Sequence, residues 1–233
     1  MTSLENATNN SINTNYIDYP PVCEHIPYYR LKIFIDSNDP GLHDKYKAAI
    51  IKQQHLVNKG IHDILAGNCE QFYFDAGFDL YVPQNSISNA PYAMTINHHI
   101  KCAMESPICI PSTHASLLDE RLFTQSSPQQ EKIKYMPTAF YLHPRSSTGT
   151  KTPYRLANNT GIIDSGYRGP LIGAFDCKDS TNTSNTASLS PYSRLLQICA
   201  PNITWPIFPV LVDSEQDLGS TIRGAGGFGS TGN

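Results

Sequence analysis

The chain has 233 residues, 39% hydrophobic and 16% charged, which suits one ordinary domain with additions and argues against both a membrane protein and a wholly disordered chain. Seventeen Lys and Arg against twenty Asp and Glu give a formal charge of -3, so no net positive field gathers nucleic acid, and no stable nucleic-acid binding is expected. Six cysteines, Cys23, Cys69, Cys102, Cys109, Cys177 and Cys199, form no C-x-x-C pair. That pattern excludes a zinc knuckle or dithiol redox motif and reads as reduced, mostly buried thiols.

The first twenty residues carry neither the basic start nor the apolar run of a secretory signal. No stretch reaches the roughly 18 to 20 apolar residues that span a bilayer, so no membrane association and an intracellular location (cytoplasm or nucleus) are expected. Residues 1–30 read as a flexible extension, because the Asn/Thr-rich opening has few apolar side chains to bury. A short strand is predicted at 31–35. Asn38-Asp39-Pro40-Gly41 supplies turn and helix-start chemistry, and apolar residues recur at Leu42, Tyr46, Ile50, Val57, Ile61 and Leu65. That spacing predicts a helical insert over 42–66, divided at Gly60 and stopped at Gly67-Asn68.

From Phe72 onward short aromatic and β-branched runs alternate with Pro, Gly, Asn and Ser clusters, the texture of an all-β sandwich or barrel. Strands are predicted at 78–82, 94–96, 139–142, 162–164, 171–175, 195–198 and 207–212, within a β domain spanning 31–212. Residues 112–133 read as a loop insert with at most a helical turn, and the Ser/Thr/Asn run 179–190 as an exposed loop.

Six of the fifteen glycines fall between Gly219 and Gly232, so residues 213–233 form a glycine-rich arm that cannot pack a core. Glycine lets backbone N–H groups approach a ligand, and Arg223, Ser230 and Thr231 add donors suited to an anion such as phosphate. Phe228 can stack on a flat ring. A floppy linker is the alternative reading of the same composition. Gly224-Ala225-Gly226-Gly227-Phe228-Gly229 matches the dinucleotide-binding G-x-G-x-x-G spacing, but that fingerprint needs a strand before it and a helix after it, and four residues follow.

Five ordered segments resemble the five motifs of the trimeric dUTP nucleotidohydrolase (dUTPase) family. They are Ala76-Gly77-Phe78-Asp79-Leu80; Pro144-Arg145-Ser146-Ser147-Thr148-Gly149; Gly161-Ile162-Ile163-Asp164-Ser165-Gly166-Tyr167-Arg168-Gly169; Arg194-Leu195-Leu196-Gln197; and Arg223-Gly224-Ala225-Gly226-Gly227-Phe228-Gly229-Ser230-Thr231-Gly232. The resemblance covers residues 72–233, and its third and fifth motifs are the most specific. It implies an all-β, distorted jelly-roll subunit in a homotrimer. Three sites are then expected at subunit interfaces, with the arm of one chain closing a neighbour's site. The implied reaction is hydrolysis of dUTP to dUMP and pyrophosphate by attack of water on the α-phosphorus with Mg2+, which keeps uracil out of DNA and supplies dUMP. The helical stretch and the 112–133 loop are additions to the family core, and the enlarged form is similar to those of large DNA viruses.

The same resemblance distributes the roles. Asp164 is the general base for water, a carboxylate role worth on the order of 10² to 10⁴ in rate, and turn capping is its structural alternative. Tyr167 packs against the sugar, while Asn158 and Gly161 lie in the hairpin that reads the uracil edge through main-chain groups. Arg145, Ser146, Ser147 and Gln197 line the phosphate chain. Arg223, Ser230 and Thr231 reach the terminal phosphate as Phe228 stacks on uracil, and Gly229 beside them is a further substrate-binding position. Asp79 is expected near the hydrated Mg2+, through water. His98-His99, His55 and His62 are expected to be non-functional. The fourth motif departs from its usual Gly-Asp or Gly-Glu: Tyr192-Ser193 precede Arg194, leaving open whether Arg194 meets ligand or forms an ion pair. Two alternatives stand beside this reading: a dCTP deaminase of the same superfamily, and a non-catalytic binding or regulatory protein on the same fold.

Overall fold

A computed structural model of the chain describes residues 26–68, 73–85, 87–90, 93–108, 134–177 and 189–226. Strict alternation in β1 (Tyr29–Ile35) buries Tyr29, Leu31, Ile33 and Ile35 on one face, as a half-covered strand requires. Helix α1 (Pro40–Leu65) follows, started by the Asp39 side chain, which accepts from Gly41 N at 2.9 Å and Leu42 N at 3.3 Å. The remaining strands are β2 (Gly77–Tyr81), β3 (Ile87–Ala90), β4 (Ala93–Ile108), β5 (Lys134–Thr138), β6 (Phe140–Pro144), β7 (Tyr154–Leu156), β8 (Gly161–Ile163), β9 (Pro170–Cys177), β10 (Arg194–Cys199) and β11 (Ile207–Leu211). A four-residue helix, α2 (Thr148–Lys151), and a 3-10 turn (Glu215–Leu218) complete the described elements.

Two sheets carry the molecule. The larger runs β11-β1-β4-β9-β7, with β3 and β5 also paired to β4, and the smaller runs β2-β10-β6-β8. Their inner faces share one core built on Leu31, Ile33, Phe78, Leu80, Ile96, Phe140, Phe175 and Ile198. Cys102 and Cys199 are buried free thiols and Cys177 an exposed one.

The expected helix is continuous. Gly60 does not divide it, because a Cβ there would stand 2.5 Å from Phe74 Cε1, so glycine serves close packing of that ring. Past the helix end Gly67 adopts φ +80°, the left-handed stop expected of it. Gln53 and Gln54 are buried on the helix and donate to Ile207 O (3.1 Å) and Pro209 O (2.8 Å), satisfying carbonyls on the edge strand β11.

Strand β4 is far longer than the predicted 94–96. It bends at a register shift between Asn97 and Lys101, where His99 takes φ +52° and its amide donates to the Asn97 side chain. The bend lets one strand pair first with β3 and β9 and then with β1 and β5. It also drives His98 into the interior, where Nδ1 donates to Tyr81 O at 2.9 Å. Burial lowers its pKa to about 4, so the ring is neutral. Strands β3, β5 and β7 went unpredicted; β3 and β7 are short, and β5 carries a proline. The 112–133 insert and most of the 179–190 run lie outside the described residues.

Candidate active site

The third motif leaves β8 and turns at once: Tyr167 N donates to Asp164 O at 3.0 Å, which fixes the Asp164 backbone at a surface bend. Gly161 at the start of β8 lies close against β6, where a Cβ would meet Leu142 Cβ at 3.1 Å. Gly169 makes room for the Tyr167 ring, whose hydroxyl donates to Pro170 O at 2.9 Å. Burial raises the Tyr167 pKa, so the phenol stays neutral and its ring is a fixed wall. Asn158, Gly161, Asp164, Tyr167 and Arg223 surround one cleft floored by Leu142 and Ile172, with a volume of about 210 Å³. β8 ends the smaller sheet, so half of its main-chain donors and acceptors face away from β6. An edge of that kind can pair with a planar base. The cleft is smaller than the roughly 300 Å³ at which ligand pockets usually begin, so it encloses only part of a nucleotide.

The described part of the arm folds onto this loop. Tyr167 and Gly224 form an isolated parallel bridge, Arg168 N donates to Gly224 O at 2.8 Å, and the Thr221 hydroxyl donates to Gly166 O. Gly224 needs its left-handed φ of +55° to make this contact. Arg223 then forms an ion pair with Asp164 of its own chain, both side chains being partly exposed.

A second cluster occupies the other end of the smaller sheet. Asp79 on β2 faces outward, opposite Gln197 on β10. Arg145 Nε donates to one Asp79 oxygen at 2.6 Å and Arg194 Nη1 to the other at 2.9 Å. Gln197 lies across Gly77, where a Cβ would stand 2.6 Å from its Oε1. Two guanidiniums against one carboxylate leave a net positive charge beside exposed Ser146 and half-buried Ser147. The backbone is pinned there by Arg145 N and the Thr148 hydroxyl, which donate to Leu195 O at 2.9 and 2.6 Å.

Arg194 forms an ion pair with Asp79 and is itself partly exposed. Tyr192 adopts φ +63° at the position where the family usually has glycine, and its hydroxyl donates to both Asp39 oxygens at 3.0 Å. The altered fourth motif therefore holds the start of α1.

The two clusters are apart. Asp79, Gln197 and His143 lie in one cross-strand row, which continues to Thr160 through a 3.4 Å contact with His143. From that row, three strand spacings and four residues lead to Asp164, a separation of roughly 15 to 20 Å. Within one chain Asp79 and Asp164 belong to two separate clusters. Phe228, Gly229, Ser230 and Thr231 lie outside the described residues. Sequence reasoning gave no role to Arg168, although it stands inside the third motif, or to the His143–Thr160 pair beside the cleft.

Among the described residues no group of three or more His, Cys, Asp or Glu is placed to hold a metal ion, and no helix is long and apolar enough to cross a membrane. A Mg2+ carried on phosphates needs only one or two carboxylates. Asp79 keeps a second lone pair on each oxygen for a metal-bound water, although two guanidiniums already more than neutralise its charge, so the charge to hold the ion would come from the phosphates.

The molecule is a two-sheet β protein in which the described residues of the third and fifth segments line a cleft and those of the first, second and fourth form a basic cluster. No family model matches the chain. Curated relatives do. Deoxyuridine 5'-triphosphate nucleotidohydrolase of Polynucleobacter necessarius subsp. necessarius is 37% identical over 94 residues, 40% of this chain and 58% of the relative. That of Bordetella avium is 39% identical over 90 residues, 38% of this chain and 54% of the relative. That of Acinetobacter baumannii is 32% identical over 124 residues, 49% of this chain and 76% of the relative. The chain belongs to the deoxyuridine 5'-triphosphate nucleotidohydrolase family. It spans between half and three fifths of the length of the first relatives it matches.

Proposed function

We propose that this chain hydrolyses dUTP to dUMP and pyrophosphate. The observation that carries the reading is the gathering of Asn158, Gly161, Asp164, Tyr167 and Arg223 around one cleft, taken with the family to which the chain belongs. Uracil pairs with the free edge of β8, where a base with the wrong donor pattern leaves main-chain groups unsatisfied. The fixed Tyr167 ring supports the deoxyribose and leaves no room for a 2'-hydroxyl. Asp164 takes a proton from the attacking water, the new bond forms at the α-phosphorus, and the bond to the bridging oxygen breaks to release pyrophosphate.

Arg145, Ser146, Ser147 and Gln197 line the phosphate chain, and Arg223, Gly229, Ser230 and Thr231 close on the terminal phosphate with Phe228 over the base. A bound triphosphate offers Arg223 a more highly charged partner than Asp164, and its departure frees the carboxylate for water. Mg2+, bound with the substrate near Asp79, would neutralise charge on the phosphate oxygens. Because the two clusters of one chain stand apart, a second copy supplies the phosphate cluster to each cleft, in a jelly-roll homotrimer.

Pyrophosphate release measured across deoxynucleoside and ribonucleoside triphosphates tests the reading. Release from dUTP and no other substrate is expected. Ammonia release from dCTP without pyrophosphate from dUTP would replace it with a deaminase, and dUTP binding without turnover with a binding protein.

A further inference from the structure

Arg168 is a charged side chain buried to 7% exposure in the third motif. Its guanidinium reaches carbonyls of two segments distant in sequence. Nη1 donates to Ser165 O (2.9 Å) and Tyr167 O (2.8 Å) in the Asp164 loop. Nε donates to Leu218 O (3.0 Å) and Gly219 O (3.2 Å) at the root of the arm. Removing a guanidinium from water is costly, and burial lowers the Arg168 pKa while the nearby Glu105 charge opposes that shift. A fold that merely needed filling would place an apolar side chain here.

The neighbouring contacts point the same way. The amide of Arg168 donates to Gly224 O, the Thr221 hydroxyl donates to Gly166 O, and Lys101 on β4 bonds Glu215 at 2.6 Å just before the arm root. Asp164 lies one residue before Ser165, and Arg223 four residues after Gly219. The arginine therefore stands where the segment bearing the proposed base crosses the segment bearing the proposed phosphate ligand.

We infer that Arg168 is a positioning residue that binds the arm root and the Asp164 loop into one body, so that the loop bearing the base is braced and the arm carrying Arg223 leaves it in a set direction. The inference rests on the proposed dUTP hydrolysis for its kinetic consequence, and its structural content stands independently. Lysine cannot substitute: a single ammonium is a point charge and cannot span both carbonyl pairs as the planar fork does. Misplacing reacting groups by about 1 Å costs on the order of 10² in rate.

The test combines kinetics and hydrogen exchange on full-length wild type, R168K, R168Q, R223A and R168K/R223A. Arg168→Lys is expected to melt cooperatively and lower kcat about 100-fold with KM changed less than about threefold. R168K/R223A is expected to be no more than about threefold slower than the worse single variant, since both remove one coupled device. Wild-type kinetics in R168K, or losses in the double variant that multiply in full, would overturn the inference. If neither position-168 variant folds, exchange on the wild-type protein decides: the amide at position 168 should be protected as strongly as those of β9, and free exchange there refutes the clamp. A wild-type chain inactive on dUTP would refute the proposed function, and the exchange result would still judge Arg168.

Discussion

At the scale of single residues, the proposed reaction turns on Asp164, whose backbone is held by a turn and whose half-exposed carboxyl is countered by Arg223. Asp164→Asn preserves the shape of the bend and removes the proton acceptor. It is expected to bind dUTP with near wild-type affinity while kcat falls by about 10² to 10⁴; undiminished single-turnover kinetics would remove Asp164 from the base role. His98 gives a second prediction, on stability. Its ring is neutral in the fold with a pKa lowered by burial to about 4, against an ordinary 6.5 in the unfolded chain. Between those values the unfolded state binds more protons, so stability falls as pH drops from 6.5 toward 4, by at most about 3 kcal/mol. Urea unfolding at pH 7 and pH 5 should show about 2 kcal/mol of that loss in the wild type and a flatter profile in His98→Gln.

At the scale of elements, the start and stop of α1 were legible because caps and glycines act locally: Asp39-Pro40 and Gly67 work through their own backbone neighbours. The role of Gly60 was not legible, since it depends on Phe74, which meets the helix only in the folded chain. Gly60→Ala gains about 1 kcal/mol in helix propensity but forces a Cβ into the Phe74 ring, an overpacking cost of about 1 to 3 kcal/mol. Net destabilisation is expected in thermal or urea unfolding; a more stable variant would show that the ring yields freely. The bend in β4 was hidden for the same reason. Nothing local in Asn97-His98-His99 announces that one strand serves four partners. The arm is an element whose composition could mean lid or linker, and its root is held to the third motif by the Tyr167–Gly224 bridge. Truncation before Arg223 is expected to leave a folded assembly with turnover reduced at least about 100-fold, read by sedimentation and pyrophosphate release.

At the scale of the whole molecule, the order of the motifs points to the candidate residues, and the sheet decides which of them meet. Asn158, Gly161, Asp164 and Tyr167 were legible as a group because they lie within ten residues on one hairpin and its exit loop. The Asp79–Arg145–Arg194 cluster was not, since it is assembled by the β2-β10-β6 pairing across more than a hundred residues. Its separation from Asp164 makes self-association a chemical requirement of the proposed reaction, as each cleft must borrow phosphate ligands from another copy. Coexpression of Asp164→Asn and Arg145→Ala chains, each inactive alone, tests this most directly. Sites completed between copies predict recovery of about a quarter of wild-type dUTP turnover at equal mixing, because one random pairing in four joins an intact Asp164 loop to an intact Arg145. Recovery of no activity from mixed assemblies of normal size would place both clusters' work within single chains and contradict the account.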